Sequence, residues 1–283
     1  MNAIEMKHLT KQYPGFLLDD ISFTLPSGSI LGLVGENGAG KSTTIQLIMN
    51  TLSPDNGTIR VLDTDNQVPA FLTVKEEIGV VLDEAYFPEE ITAKNVNAIM
   101  KYTYRNWDTA CYQAYLSRFS LPDNKPFRDF SRGMKMKLAI AVAMSHDLKL
   151  LILDEATSGL DPLIRDEILD IFNDFTRDEN HSVLLSSHIV SDLEKICDYI
   201  AFLHKGRLLF CKEKDRLVEE YAIVKLSHAD MMQLPANVIL GKKENAYGAE
   251  ALVLREKLPH GIPSERTSLE DIILYLAKEG QNA

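Results

Sequence analysis

The sequence lacks any uninterrupted apolar stretch near the roughly 18 to 20 residues that a membrane-spanning helix needs; its apolar runs, such as 138–144 and 150–153, are far shorter. The chain is therefore expected not to cross a membrane. Its first residues, MNAIEMKHLTKQY, have no basic region followed by an apolar stretch, so no secretory signal is expected and a cytoplasmic location is. Cysteine is scarce. Cys111, Cys197 and Cys211 are far apart, odd in number and outside CxxC or Cys/His ligand spacing, which argues against a disulfide framework or a zinc site and for reduced packing residues. Positive charge is also short, with 30 Lys and Arg against 41 Asp and Glu and a formal net charge of -11. That balance discourages non-specific binding to nucleic acid or anionic lipid, and any membrane attachment is expected to run through a protein.

What is present suits a folded chain: 283 residues, 45% hydrophobic and 25% charged, long enough for one large α/β domain with a smaller addition. Short Ile-, Val- and Leu-rich runs at 4–6, 22–25, 30–34, 77–82, 149–154 and 182–187 read as strands alternating with helical patterns. Such alternation implies a largely parallel central sheet. From Asp83 to about Ser145 the pattern turns helical, with Ala110, Cys111, Ala114 and Tyr115 on one face behind Asn106 and Asp108. A hairpin follows at 199–204 and 207–211 around Lys205 and Gly206. After about Lys212 short strand-like pieces at 222–226, 238–240 and 251–254 precede a helix over 268–278, which Ser268 and Asp271 can cap reciprocally.

Two motifs carry chemistry. GENGAGKST, residues 35–43, fits GxxxxGK[ST] between an apolar strand and a helix. Gly38 and Gly40 let the backbone turn its amides toward phosphate oxygens at a helix N-terminus; Lys41 reaches the β- and γ-phosphates, and Ser42 supplies a hydroxyl for Mg²⁺. The second, LLILDEATSGLD at 150–161, buries a strand that ends in two acids. Asp154 would hold Mg²⁺, directly or through water, and Glu155 would polarise a water for in-line attack on the γ-phosphate. Together they supply complementary parts of one MgATP site.

With phosphate loop, acidic strand end and Ser158, Gly159, Leu160 and Asp161 directly after it, the chain resembles the ATP-binding subunit of ABC transporters over roughly residues 3–211. The resemblance implies a P-loop NTPase core with an ABC-type antiparallel β subdomain and an inserted helical subdomain at about 84–145, all within 1–211, plus a small C-terminal α+β accessory unit at 212–283. It implies that ATP is held by Gly35, Asn37, Gly38, Ala39, Gly40, Lys41, Ser42 and Thr43, with Tyr13 stacking on adenine. Lys41, Glu155 and His188 are the expected catalytic residues, His188 contacting the γ-phosphate. FSRGMK at 130–135 resembles the signature usually written LeuSerGlyGlyGln, so Ser131 and the amide of Gly133 are expected to cap the nucleotide of the opposite subunit. Asp161 resembles the residue that couples the paired sites.

Two departures stand out. Asp83 occupies the place where the family usually has a magnesium-reaching glutamine, and is expected to join Ser42 and Asp154 on the metal side. Arg132 replaces a usual glycine of the signature and receives no catalytic role. The resemblance further implies a homodimer, or a heterodimer with a related ATPase subunit, working a separate transmembrane permease from the inner face of the membrane. Export is the direction implied, by likeness to exporters whose ATPase and membrane subunits are separate chains. Residues 85–88, with Tyr86 and Phe87, are the candidate permease contact. The competing reading, an ABC ATPase acting on ribosomes or DNA, is disfavoured by the single phosphate loop, the lack of a long heptad segment and the acidic charge. No nucleic-acid partner is expected.

Overall fold

The structure is a computed structural model describing residues 1–84 and 86–279. It opens with a hairpin of β1 (Asn2–Tyr13) and β2 (Phe16–Pro26). The turn after Tyr13 is a tight corner: Gly15 takes φ 84, and Tyr13 pairs directly with Phe16. Then come β3 (Ile30–Val34), α1 (Lys41–Ile48), β4 (Asn56–Val61), β5 (Thr64–Asp65), α2 (Phe71–Val74) and β6 (Ile78–Val81). The helical insertion holds α3 (Ala93–Thr103), α4 (Thr109–Arg118) and α5 (Arg132–Ala143). The chain returns through β7 (Leu150–Asp154), α6 (Pro162–Phe175), β8 (Ser182–Ser187), α7 (Val190–Ile196), β9 (Tyr199–His204) and β10 (Arg207–Glu213). It continues into α8 (Lys214–Glu220), β11 (Tyr221–Leu226), α9 (His228–Met231), β12 (Ile239–Asn245), β13 (Gly248–Leu254) and α10 (Leu269–Glu279).

β3, β7 and β8 are buried along their whole length, as strands apolar on both faces must be. They lie parallel with β6 and β9 at the heart of a ten-stranded sheet ordered β5-β4-β1-β2-β10-β9-β3-β8-β7-β6. Alternate residues feed two cores. Ile30, Leu151, Leu153 and Leu185 pack with α5, α6 and α7, while Leu31, Leu33, Ile152 and Leu184 pack with α1 and the antiparallel strands. All five parallel strands end on one edge, where the loops that carry polar residues gather.

In the insertion, α4 buries Tyr112 and Leu116 and half-buries Cys111 and Tyr115. The face that carries Ala110, Cys111, Ala114 and Tyr115 is only partly covered, with both alanines exposed: large side chains gain more from burial than the methyl of alanine, so the helix turns Tyr112 and Leu116 inward. Asp108 caps α4 by accepting from the amide of Cys111 at 2.9 Å, and Ser131 caps α5 by accepting from that of Met134 at 3.3 Å. Beyond β10, strand order β11-β13-β12 makes a second sheet, and Ile223, Leu252, Leu269 and Ile272 join the core that contains Leu193 and Ile196 of α7. Ser268 and Asp271 exchange backbone amides, each 3.1 Å from the other's side chain, at the start of α10.

The antiparallel layer meets the parallel one at a narrow seam. β2 and β10 share the bridge Asp19 with Arg207, and the carbonyl of Gly206 accepts from the Asp19 amide at 2.8 Å. Gly206 also donates its amide to the carbonyl of Ala39 at 3.1 Å, so the seam supports the phosphate loop. Its φ is 81, and a Cβ there would sit 1.8 Å from the Leu17 carbonyl oxygen. Gly206→Ala is expected to lower unfolding stability by about 3 kcal/mol, measured in urea. Gly261→Ala, also at positive φ but with open space around it, should cost only about 1 to 2 kcal/mol.

Candidate functional site

Between β3 and α1 the chain must reverse within a few residues, and glycine makes this possible. A Cβ on Gly35 would lie 2.5 Å from the Leu203 carbonyl oxygen, so the loop presses on β9. Gly38 takes φ 83 and Gly40 φ 111, and no atom lies within 4 Å of a Cβ built on Gly38. Ala39 is buried, Asn37 and Ser42 are exposed, and Thr43 is half-buried. Lys41 opens α1 yet is only 6% exposed; its Nζ donates to the carbonyls of Gly35 at 2.8 Å and Glu36 at 3.3 Å.

The same ammonium stands 3.1 Å from Oε1 of Glu155. Glu155 leaves the end of β7 with φ 51, a left-handed conformation that costs a non-glycine residue on the order of 1 kcal/mol. Its amide, 3.1 Å from both the carbonyl and the hydroxyl oxygen of Ser186, fixes that turn. Oε2 meets Nδ1 of His188 at 2.6 Å. Oε1 is buried and accepts no well-directed hydrogen bond, although the Lys41 ammonium, which donates to two carbonyls, stands close enough to pair with it ionically. One carboxylate oxygen is thus ionically paired but open to a further donor. Beside it Asp154, 6% exposed, accepts from the Ser186 hydroxyl through Oδ1 at 2.6 Å.

A cleft of about 470 Å³ is lined by Phe16, Asn37, Gly38, Gly40, Lys41, Ser42, Thr43, Asp83 and Glu155. Asp83, an exposed residue of the loop after β6, therefore faces the phosphate loop and Glu155. Among the described residues, Tyr13 does not line this cleft. It is half-buried with Lys11 Nζ 5.8 Å from its ring centre, and Phe16 stands at the cleft wall in its place. Ser131, Gly133 and Asp161 are likewise outside the lining. Ser131 and Asp161 are exposed N-caps of α5 and α6, and Gly133 is buried so tightly that a Cβ would lie 2.9 Å from Ile164. Arg132 lays its guanidinium over Gly159.

Residues that motif reading missed are Phe16 and Ser186. The second aromatic flanking Pro14 and Gly15, and the paired serines that end an apolar strand before His188, were the available signals.

The donor set fits a magnesium nucleotide. Glycines that leave the loop backbone uncovered, a buried ammonium paired with Glu155, and acids at the cleft wall match a phosphate chain with a hard cation. Among the described residues no cluster of three His, Cys, Asp or Glu side chains could hold a metal unaided, so phosphate oxygens would complete its shell.

Comparison with known proteins places this geometry. Residues 18–158 match the family described as "ABC transporter". The ABC transporter ATP-binding protein YtrB of Bacillus subtilis (strain 168) is 31% identical over 225 residues, 79% of this chain and 76% of that protein. The Nod factor export ATP-binding protein I of Rhizobium leguminosarum bv. viciae is 32% identical over 225 residues, 77% of this chain and 71% of that one. A solved structure of an ATP binding subunit of an ABC transporter superposes with a TM-score of 0.68 at 28% identity, covering 77% of this chain and 92% of its own.

Ser186 bonds to both acids of the site. Ser186→Ala is expected to cost about 1.5 to 3 kcal/mol in chemical denaturation without nucleotide, since it removes a donor to a buried carboxylate. An unchanged midpoint would show that Asp154 finds another donor.

Proposed function

Since the chain belongs to the ABC transporter family of ATP-binding proteins, we propose that it closes head to tail with a second copy, or with a related ATPase subunit, on two MgATP and so drives a separate membrane subunit in export. The chain is an ATP-binding and ATP-hydrolysing transporter subunit.

One observation carries the shared site: the cleft contains the phosphate loop and Glu155 but none of Ser131, Gly133 and Asp161. Ser131 satisfies the amide of Met134, which leaves the earlier amides of α5 to an outside acceptor. A second copy's γ-phosphate is an acceptor of that kind. In this reading Gly35, Asn37, Gly38, Ala39, Gly40 and Thr43 hold phosphate through the loop and α1, and Lys41 gives its ammonium to the β- and γ-phosphates. Tyr13 and Phe16 are the aromatic groups on the β1–β2 side available to the base.

Ser42, Asp154 and Asp83 are the proposed metal-side ligands, in part through water. The ion, when bound, neutralises phosphate charge and orients the terminal group for in-line attack. Lys41 must release Glu155 as it takes up phosphate, and the freed Oε1 is placed to draw a proton from water while His188 holds Oε2. Asp161, the N-cap of α6, stands where a neighbour could touch the loop that follows Glu155.

Export is favoured by likeness to a relative named for Nod factor export, although no transported substrate follows from it. Among the described residues no helix is long and apolar enough to cross a membrane, so attachment to the inner membrane face is proposed to run through a permease. Tyr86 is 74% exposed, whereas Phe87 packs edge-on 5.4 Å from Phe127, which offers Tyr86 for that contact. Ala85, the first residue of the candidate segment, lies outside the described residues. Residues 212–283 are proposed as an accessory unit, with β10 reaching Glu213 and the second sheet starting at Tyr221.

Light scattering tests the shared site. Glu155→Gln should double its mass on adding MgATP, and wild type should return to monomer as ATP is consumed; a Glu155→Gln protein that stays monomeric would contradict the reading. Asp83→Asn is expected to raise the magnesium concentration for half-maximal turnover by about 10-fold. No change would remove Asp83 from the metal side.

A further inference from the structure

Asp192 is a carboxylate that none of these steps uses, and it is only 2% exposed. It sits in the first turn of α7, on the chain segment that begins with His188. Its Oδ2 accepts from the Thr157 hydroxyl at 2.7 Å, and its Oδ1 lies 3.2 Å from Nε of Arg165. Thr157 follows Glu155 by two positions, and the Arg165 amide bonds to the carbonyl of Asp161 at 2.9 Å. The two partners of Asp192 therefore bracket residues 158–161, the loop that would meet a second copy.

α7 packs closely on the sheet and pairs with α6. It rests on β3 at Gly32, where a Cβ would lie 2.9 Å from both Leu193 and Cys197, and Lys195 ties it to Asp166 at 2.5 Å and Asp170 at 3.1 Å on α6. Burial raises the Asp192 carboxyl above its ordinary range, against the opposing pull of Thr157 and Arg165. A side chain needed only to fill space here would do so at less cost if it were apolar. The carboxylate instead joins three elements at defined distances.

We propose that Asp192 is a positioning residue: it links the dimer-facing loop 158–161, through Thr157 and Arg165, to the helix that follows His188, so that contact by a second copy is transmitted to the pair that His188 makes with Glu155 and keeps it aligned during turnover. The inference rests on the shared-site reading above. Displacing loop 158–161 shifts Thr157 and Arg165 together, and their common acceptor carries the shift into α7 and back to His188.

The test compares Asp192→Asn, Asp192→Glu, Thr157→Val and the Asp192→Asn/Thr157→Val double variant, each checked for cooperative thermal unfolding. Asp192→Asn should lower kcat for ATP about 10-fold or more, with KM within about twofold of wild type. Thr157→Val should give a similar loss, and the double variant no greater loss than the larger single one. Asp192→Glu should recover part of the rate. Folded variants with wild-type kcat, or losses that multiply in the double variant, would overturn the proposal. Asp192→Asn placed in Glu155→Gln should still dimerise on MgATP. If that dimer is lost only when Asp192 is changed, Asp192 serves assembly and the proposal fails; if Glu155→Gln itself never dimerises, the shared-site reading fails first and takes this inference with it.

Discussion

The contact between Lys41 and Glu155 is the constraint around which the other site residues are arranged. An ammonium that is 6% exposed cannot stand unpaired without losing several kcal/mol of solvation. Two carbonyls from neighbouring loop residues and one carboxylate from far along the chain supply its environment. Bringing them together needs Gly35 pressed against β9, β7 running parallel to β8, and a left-handed turn at Glu155. The strain at that turn persists because Ser186 grips the amide of Glu155 from the neighbouring strand. The acid sits where it does because the sheet over-determines it.

The sheet has a second consequence. Since its parallel strands are buried on both faces, no side chain along β3, β7 or β8 is free to do polar work until the strand ends. The residues proposed to act lie at the edge where those strands stop: the phosphate loop after β3, Asp83 after β6, Asp154 and Glu155 at β7, His188 after β8. The antiparallel layer joins this edge through Gly206 and brings Phe16 to the cleft wall. The helical insertion carries Ser131 and Gly133 to a place outside the cleft, and this separation is why one chain holds only part of the proposed site.

The readable parts of this arrangement were those whose chemistry is local in sequence. The phosphate loop needs glycines and a lysine within nine residues, and the acidic strand end needs an apolar run followed by two acids; both stand as written in the chain. The family resemblance that they carried is matched by relatives and by fold. Contacts between distant segments were not legible. Ser186 reads as one of two small residues in an apolar strand until β8 is paired with β7, and Asp192 reads as a helix-surface acid until Thr157 and Arg165 are seen to enclose it. Phe16 comes to the cleft only because a tight corner folds it back beside Tyr13. Spacing puts Ala110, Cys111, Ala114 and Tyr115 on one face, but the volume of Tyr112 and Leu116 decides which way α4 turns.

The resting pair also limits how the site can work. A surface ion pair contributes little and breaks easily, whereas an ammonium and a carboxylate that are both largely buried offset each other's desolvation only while they stay together. A phosphate chain entering beside Gly38 competes for the ammonium with more negative charge than Glu155 carries and releases the carboxylate at the same time. In the proposed mechanism nucleotide entry and exposure of Glu155 are then one event. The chain cannot present a free Glu155 beside an empty phosphate loop without leaving two buried charges unpaired. An intact β8 edge, with Ser186 on Asp154 and His188 on Glu155, keeps the released carboxylate from swinging away, so the acid is held in place after its cation has been drawn to phosphate.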